Sequence, residues 1–266
     1  MLKILIFLCL IISKIFPQEN LGARAFALKS YVIPNDVWAI FYNPAGLADL
    51  KIREISFSYI PAQFGLKELS KKGFVFCETS LPVKVGVGAE IFGFELYKEG
   101  VVKFSVARDF ELFNLGLNLN YNFASIKGYG NAGAFSADLG FISKSVKFFK
   151  FGFVLKNLIA GKIGRAKEKL SKEIELGVAL LPYDNLMVST SIYKETGFKE
   201  SLKYGVEYEF ANLFALRFGF SNYPAQYSGG AGIKFTKFQF DYGVNNHQLL
   251  GLTHQVTLTA KLGWKK

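Results

Sequence analysis

At 266 residues, half of them hydrophobic and 20% charged, the chain is too apolar for an ordinary soluble domain, with a mean hydropathy of +0.22, and too polar for a bundle of transmembrane helices. Its 28 Phe and 26 Gly against 7 Pro favour strands, because aromatic rings suit a pleated surface and glycine weakens helix interiors. The formal charge of +11 is spread over turns and inward strand positions, with no basic helix or stripe, which argues against a nucleic-acid partner.

The first element is a signal peptide over residues 1–18. Lys3 supplies the positive start and Ile4 to Ile12 an apolar core of signal length, too short to span a bilayer. Leu8, rather than a small residue, precedes Cys9, which argues against a lipoprotein anchor. Cleavage is expected between Phe16 and Glu19; it takes Lys3, Lys14 and Cys9 away, lowering the charge to +9 and leaving Cys77 alone, a packing residue on a strand.

Residues 19–50 follow without period-two alternation. Asn43-Pro44 favours a turn and Gly46 lets the chain bend further. A non-strand stretch of this length ahead of a barrel plugs the pore as a hatch or hangs below it.

From residue 51 to the C-terminus the chain is a succession of dyads. Leu115, Leu117, Leu119, Tyr121 and Phe123 alternate with Asn114, Gly116, Asn118, Asn120 and Asn122. Phe135, Ala137, Leu139 and Phe141 alternate in the same way with Ala134, Ser136, Asp138 and Gly140. Side chains alternate faces along a strand, so each run has one greasy and one hydrated face. The runs predict strands near 53–61, 72–80, 83–96, 101–110, 114–126, 131–143, 147–158, 172–181, 185–194, 199–210, 213–222, 227–236, 238–245 and 252–264. Fourteen is an even number, as a single-chain barrel in the bacterial outer membrane requires. With the first strand running outward, the two longest connections, 62–71 and 159–171, fall on the outer side, and the inner turns are mostly three residues or fewer. The expected fold is an all-β, antiparallel transmembrane barrel of about fourteen strands with an N-terminal hatch. Its expected place is the bacterial outer membrane, among lipid and lipopolysaccharide.

The non-lipid phase carries Glu90, Lys103, Asp109, Lys150, Glu175, Lys203, Glu207, Glu209, Arg217, Asp241 and Lys261. Both signs are present, so internal ion pairing is expected, and the many inward glycines leave room for the hatch. No nucleophile elbow, P-loop or dinucleotide fingerprint occurs. His247 and His254 lack partners at metal-binding spacing, and nothing in the sequence joins His254 to Ser201 or Ser221. The chain is read as a non-enzyme with no cofactor and no metal.

Three short runs carry a family resemblance: Gly22-Ala23-Arg24-Ala25, Asp36-Val37-Trp38-Ala39 and Asn43-Pro44-Ala45-Gly46-Leu47. Together they resemble the N-terminal signature of the PorV/PorQ family, itself related to FadL-type fatty-acid channels with a similar Asn-Pro-Ala turn in the hatch. Leu250-Gly251-Leu252-Thr253-His254-Gln255 resembles the closing-strand motif of that family. The resemblance implies a plugged barrel associated with type IX secretion, with secretion components or cargo as partners. Its alternative is a FadL-like channel for long-chain fatty acids or other hydrophobic small molecules. An apolar pocket beside Asn43 to Leu47 is expected for transport, and a charged, filled lumen for secretion.

Overall fold

The computed structural model describes residues 21–163 and 168–263; the expected signal peptide and Trp264 lie outside them. Fourteen strands close into an antiparallel barrel. They are β1 (Arg53–Ile60), β2 (Lys71–Glu78), β3 (Lys84–Phe94), β4 (Tyr97–Asp109), β5 (Phe113–Ile126), β6 (Gly130–Ser143), β7 (Phe149–Ala160), β10 (Glu173–Tyr183), β11 (Leu186–Glu195), β12 (Ser201–Phe210), β13 (Phe214–Asn222), β14 (Ala225–Lys234), β15 (Phe238–His247) and β16 (Gly251–Leu262). Two short strands, β8 (Lys162–Ile163) and β9 (Glu168–Lys169), form a separate ladder in the connection between β7 and β10, where the sequence predicts only a loop.

Each strand pairs with its sequence neighbour, and β1 closes the ring against β16, with Ser56 opposite Thr259 and Ser58 opposite Thr257. The hydroxyls of both pairs meet inside at 2.7 Å. Closure leaves no unpaired edge, which is what makes a strand structure tolerable in hydrocarbon. Among the described residues no helix is long and apolar enough to cross a membrane.

The outward face is largely apolar. Leu119 is 64% exposed, Phe218 65% and Phe135 73%, while their inward neighbours Asn118, Arg217 and Ser136 are buried. Exposure on this scale is unfavourable in water and natural in lipid. Outward rings also pair across strands, Phe57 with Phe74, Tyr121 with Phe135 and Phe220 with Tyr227, each with centroids 5.1 Å apart.

The register shifts at two places in the wall, between β10 and β11 after Leu180 opposite Val188, and more strongly between β6 and β7. There the register jumps from Ala137 opposite Ile159 to Leu139 opposite Leu155, so Asp138 faces three residues, Lys156 to Leu158. Asn157, at the centre of the bulge, has φ +54° and donates its backbone N–H to Asp138 at 3.0 Å.

Connections alternate in length between the two ends. The longest, 61–70 and 161–172, lie at the end away from the termini, here called the loop end. The first strand after that end of β3 begins at Tyr97 rather than near 101, because Lys98 to Gly100 still pair across the mouth despite their polarity.

Residues 21–50 are inside the barrel. Helix α1 (Ala23–Leu28) crosses the inner faces of β12 to β16, and two 3₁₀ turns, Val37–Phe41 and Pro44–Asp49, pack against β1 to β6. Asp36 caps the first turn by accepting from Trp38 N at 2.9 Å, and Asn43 caps the second by accepting from Ala45 N at 3.2 Å. Pro44, lacking an N–H and fixed in φ, suits the first position of the turn it opens.

Candidate functional site

The hatch is seated on the wall by close approach, hydrogen bonds and charge, and by apolar packing. The first is close approach at inward glycines. A Cβ on Gly116 would sit 2.3 Å from Ala45 N, one on Gly140 2.1 Å from Asn43 Oδ1, and one on Gly219 2.4 Å from Ala27 O. No larger side chain fits at these three positions while the hatch is docked.

The second is hydrogen bonding between small polar wall residues and the hatch backbone. Thr257 Oγ1 accepts from Ala23 N at 2.8 Å, Ser228 Oγ donates to Ala27 O at 2.7 Å and Asn118 Nδ2 donates to Ile40 O at 2.9 Å. In the other direction, Asn43 Nδ2 reaches Phe141 O on β6 at 3.1 Å and Phe153 O on β7 at 3.3 Å, besides Val32 O of the hatch at 2.7 Å. The irregular hatch backbone is thereby satisfied away from water.

The third is charge. Arg24 forks onto Glu207, Nε to Oε2 at 2.8 Å and Nη2 to Oε1 at 2.5 Å. Its remaining nitrogen donates to Tyr31 Oη at 3.2 Å, Asn35 Oδ1 at 2.5 Å and Asp36 Oδ2 at 3.3 Å. Glu207 also accepts from Arg217 at 2.5 Å, and Arg217 reaches Asp241 at 2.7 Å. This chain of alternating charge is nearly water-free, with Arg217 at 0% exposure. A bidentate guanidinium on a carboxylate is the strongest pairing available to such a network.

At the termini end, Asp49 accepts from Asn114 at 2.9 Å and pairs with Lys144 at 3.2 Å and Lys150 at 3.3 Å. Burial would raise the Asp49 carboxyl, but the Asn114 hydrogen bond and the two lysines outweigh it and hold it below the usual carboxylate range. The apolar side of the hatch, including Leu21, Trp38, Ile40, Phe41 and Leu47, packs with Ile60, Val75, Cys77 and Val101 of the wall.

Of the residues singled out in the sequence, Gly22, Arg24, Asp36, Asn43, Pro44, Ala45 and Gly46 all lie in this docked segment. Gly22 has φ +108° and lies against the Trp38 ring, and a Cβ on Gly46 would strike Pro34 O at 2.4 Å. Glu90, Lys103, Glu175, Glu207, Arg217 and Asp241 are buried in the lumen. Asp109 is not: it lies at the end of β4, its side chain is 55% exposed, and it pairs with Lys144 at the termini rim. It keeps the inward phase but stands past the last turn of wall. Tyr31 and Asn35 join the Arg24 network without any signal in the alternation, whereas Asp138, on the polar phase of its dyad, pairs with Lys103 in the lumen.

Above the hatch, toward the loop end, an outward-opening vestibule encloses about 350 Å³. Its floor is the hatch surface of Ala25, Phe26, Lys29, Phe41 and Tyr42. Its walls carry Glu90, Glu99, Asp138, Glu173, Glu175 and Glu195 against Lys103, Lys156 and Lys203. The 61–70 connection covers the opposite side, with Phe64 N donating to Thr253 Oγ1 at 3.1 Å and the Phe64 ring against His247. Asn43, Ala45 and Leu47 are fully buried and none of them borders the vestibule.

Catalytic groups do not converge here. His254 faces outward with Tyr242 Oη at 2.6 Å, whereas Ser201 and Ser221 face the lumen. No group of three His, Cys, Asp or Glu fit to hold a metal occurs among the described residues.

No family model matches the chain, and no curated protein is similar to it in sequence. Solved structures do resemble it. The CymD monoaromatic hydrocarbon channel superposes with a TM-score of 0.69 at 12% identity, covering 94% of this chain and 99% of its own. The P. putida toluene transporter TodX gives 0.69 at 10% identity, covering 94% and 100%. A Pseudomonas aeruginosa FadL homologue gives 0.61 at 13%, covering 91% and 97%. At such identities the likeness is one of fold: the chain is a closed, hatch-plugged, fourteen-stranded barrel of the FadL type, the architecture of bacterial outer-membrane channels.

Proposed function

We propose that this chain is a non-enzymatic outer-membrane channel for small compounds with a hydrophobic body, closed at rest by residues 21–50. The observation that supports it most is the division of the lumen. The hatch fills the half toward the termini, and an open vestibule with an aromatic floor lies above it. A ligand arriving from outside rests on Phe26, Phe41 and Tyr42, and passage requires those residues to move with the hatch. The likeness in fold to channels for monoaromatic hydrocarbons and toluene agrees with this reading.

The test is flux. Liposomes holding the purified barrel are expected to take up a small aromatic compound faster than empty liposomes, and faster still when the hatch is destabilised. Equal uptake in all three preparations would sink the proposal.

The type IX secretion reading has one observation in its favour, a charged lumen filled by the hatch, with no vestibule lining at Asn43 to Leu47. Its weakness is the loop end, where five of the seven connections between barrel strands have five residues or fewer and offer little surface for docking cargo. Deletion of the gene with undiminished display of secreted cargo at the cell surface would remove that reading.

A further inference from the structure

The vestibule wall is polar, and the charged group it leaves partly unsatisfied is an acid. All four lining lysines already have oxygen partners. Lys103 holds Asp138 at 2.8 Å, Lys203 holds Glu175 at 3.3 Å, Lys156 holds Glu173 at 3.4 Å and Lys29 donates to Gln226 at 2.8 Å. The acceptors are not all used. Glu90, whose side chain is 9% exposed, pairs with Lys71 through Oε1 at 3.2 Å, but its buried Oε2 has no hydrogen-bond partner. Across the mouth, on β12, Ser201 is 2% exposed and its Oγ is likewise without one. Six carboxylates against four lysines line the space, and Lys71, behind Glu90, still leaves the acids in excess by one.

The lining also shows what kind of group it accepts. Lys29 Nζ lies 4.9 Å from the centre of the Phe26 ring, Lys103 5.8 Å from Phe41, Lys156 5.9 Å from Tyr42 and Lys203 3.9 Å from Tyr193. The protein's own ammonium groups are thus packed between carboxylates and ring faces, so the lining already holds this chemistry. An anion meets no free donor of matching strength and an excess of like charge. A bare hydrocarbon meets walls that it cannot hydrogen-bond and would have to desolvate.

We infer that the vestibule is a recognition site for a small organic ammonium with an apolar or aromatic body, its N–H groups donating to Glu90 Oε2 and the neighbouring carboxylates while the body rests on the aromatic floor. The inference deepens the channel reading by naming the charge on the compound admitted, and it rests on that reading only for what happens after binding. The volume of about 350 Å³ lies at the small end of ligand sites, which suits a single-ring amine.

Binding to the purified full barrel in detergent, measured by titration calorimetry, tests it with three probes of one shape: phenethylammonium, phenylacetate and toluene. Phenethylammonium is expected to bind saturably and at least 10-fold more tightly than either other probe. Glu90→Gln is expected to weaken it by 10-fold or more. Ser201→Ala, on the opposite wall from Glu90, is the control and is expected to leave the affinity within about 3-fold. Folding of each variant is checked by its heat-modifiable migration on gels. If Glu90→Gln does not fold, the probe order still decides. Tighter binding of phenylacetate or toluene, unchanged affinity in a folded Glu90→Gln, or complete displacement by potassium or calcium at equal ionic strength each overturns the inference. Ammonium binding without flux of any probe into liposomes would sink the channel reading and leave this site standing.

Discussion

Replacing Arg24 with Met keeps the length of the side chain and removes its charge, which isolates the contribution of the ionic seat to hatch docking. Arg24 makes two hydrogen bonds to Glu207 and three more to Tyr31, Asn35 and Asp36. Without it, Glu207 keeps only Arg217 at 2.5 Å, and Asp36 keeps the Tyr31 hydroxyl. Removing one partner of a buried pair costs about 3–5 kcal/mol. Because Glu207 retains a second guanidinium, the lower bound applies, about 3 kcal/mol. Arg24 belongs to the hatch and Glu207 to the wall, so the loss falls on docking rather than on barrel closure. At about 1.4 kcal/mol per tenfold, the undocked population rises roughly 100-fold. Planar-bilayer recordings read this as the frequency of open events, and the same preparation is checked for folded barrel by its heat-modifiable migration. Glu207→Gln alone should raise the frequency as well, and Arg24→Met with Glu207→Gln should fall short of the sum by at least about 1 kcal/mol, since the two residues share one interaction. An opening frequency within about threefold of the unmodified chain, or strict additivity in the double variant, would refute the ionic-seat account; the threefold threshold is about 0.7 kcal/mol on the same scale.

Gly219→Val should expel the hatch by contact alone, since even a Cβ there would stand 2.4 Å from Ala27 O and 2.6 Å from Ser228 Oγ. Limited proteolysis should cut residues 21–50 in that variant while the barrel stays resistant. On the outer face, Leu119→Arg places a charge near the middle of β5 and should cost about 2–4 kcal/mol in urea-monitored folding into liposomes. The pH dependence follows from Asp49, whose carboxyl is held low by Asn114, Lys150 and Lys144 against the cost of its burial. A group with a depressed folded value stabilises above its unfolded value, near about 3.9, and loses that contribution as the pH falls through the folded one. Protease access to the hatch should therefore be unchanged between pH 7 and 5, rise below about 4, and rise less steeply in Asp49→Asn.

The sequence resolves the barrel far better than it resolves what the barrel holds, and the reason is range. Alternation is local, so the fourteen dyad runs correspond to the fourteen barrel strands. It fails where both faces meet water. Lys98-Glu99-Gly100 has no greasy side and reads as loop, yet it pairs with Phe123 to Ser125 on β5. The bulge at Asp138 leaves no trace either, because Lys156-Asn157-Leu158 carries no turn residue beyond Asn157. In its periodicity the hatch shows only as a break in the alternation, and three short motifs add the resemblance to a plugged barrel. Its seat joins Arg24 to a residue 183 positions away, a pairing that no spacing rule reaches. Asp109 shows the converse error, since phase alone placed it in the lumen and strand length placed it on the rim.

The outer and inner faces of this barrel answer to different solvents, and that decides where its ligand is to be read. Lipid asks only that alternate residues be apolar, a demand that many sequences meet, so barrels at 10–13% identity share one wall. The inner residues answer to the hatch and to the ligand. Gly116, Gly140 and Gly219 are small because hatch atoms occupy the space their side chains would fill. Thr257, Ser228 and Asn118 are polar because a hatch amide or carbonyl stands opposite each. Glu90 Oε2 and Ser201 Oγ have neither excuse: they are buried, polar and unmatched by any hatch group, and they stand in the part of the lumen that the hatch leaves open. Unmatched buried polar atoms are costly to keep, and a ligand that supplies the missing donor recovers that cost on binding. Likeness of the wall to other barrels therefore speaks for fold alone, and the proposed ligand chemistry rests on the vestibule, where Glu90 Oε2 is an acceptor without a donor.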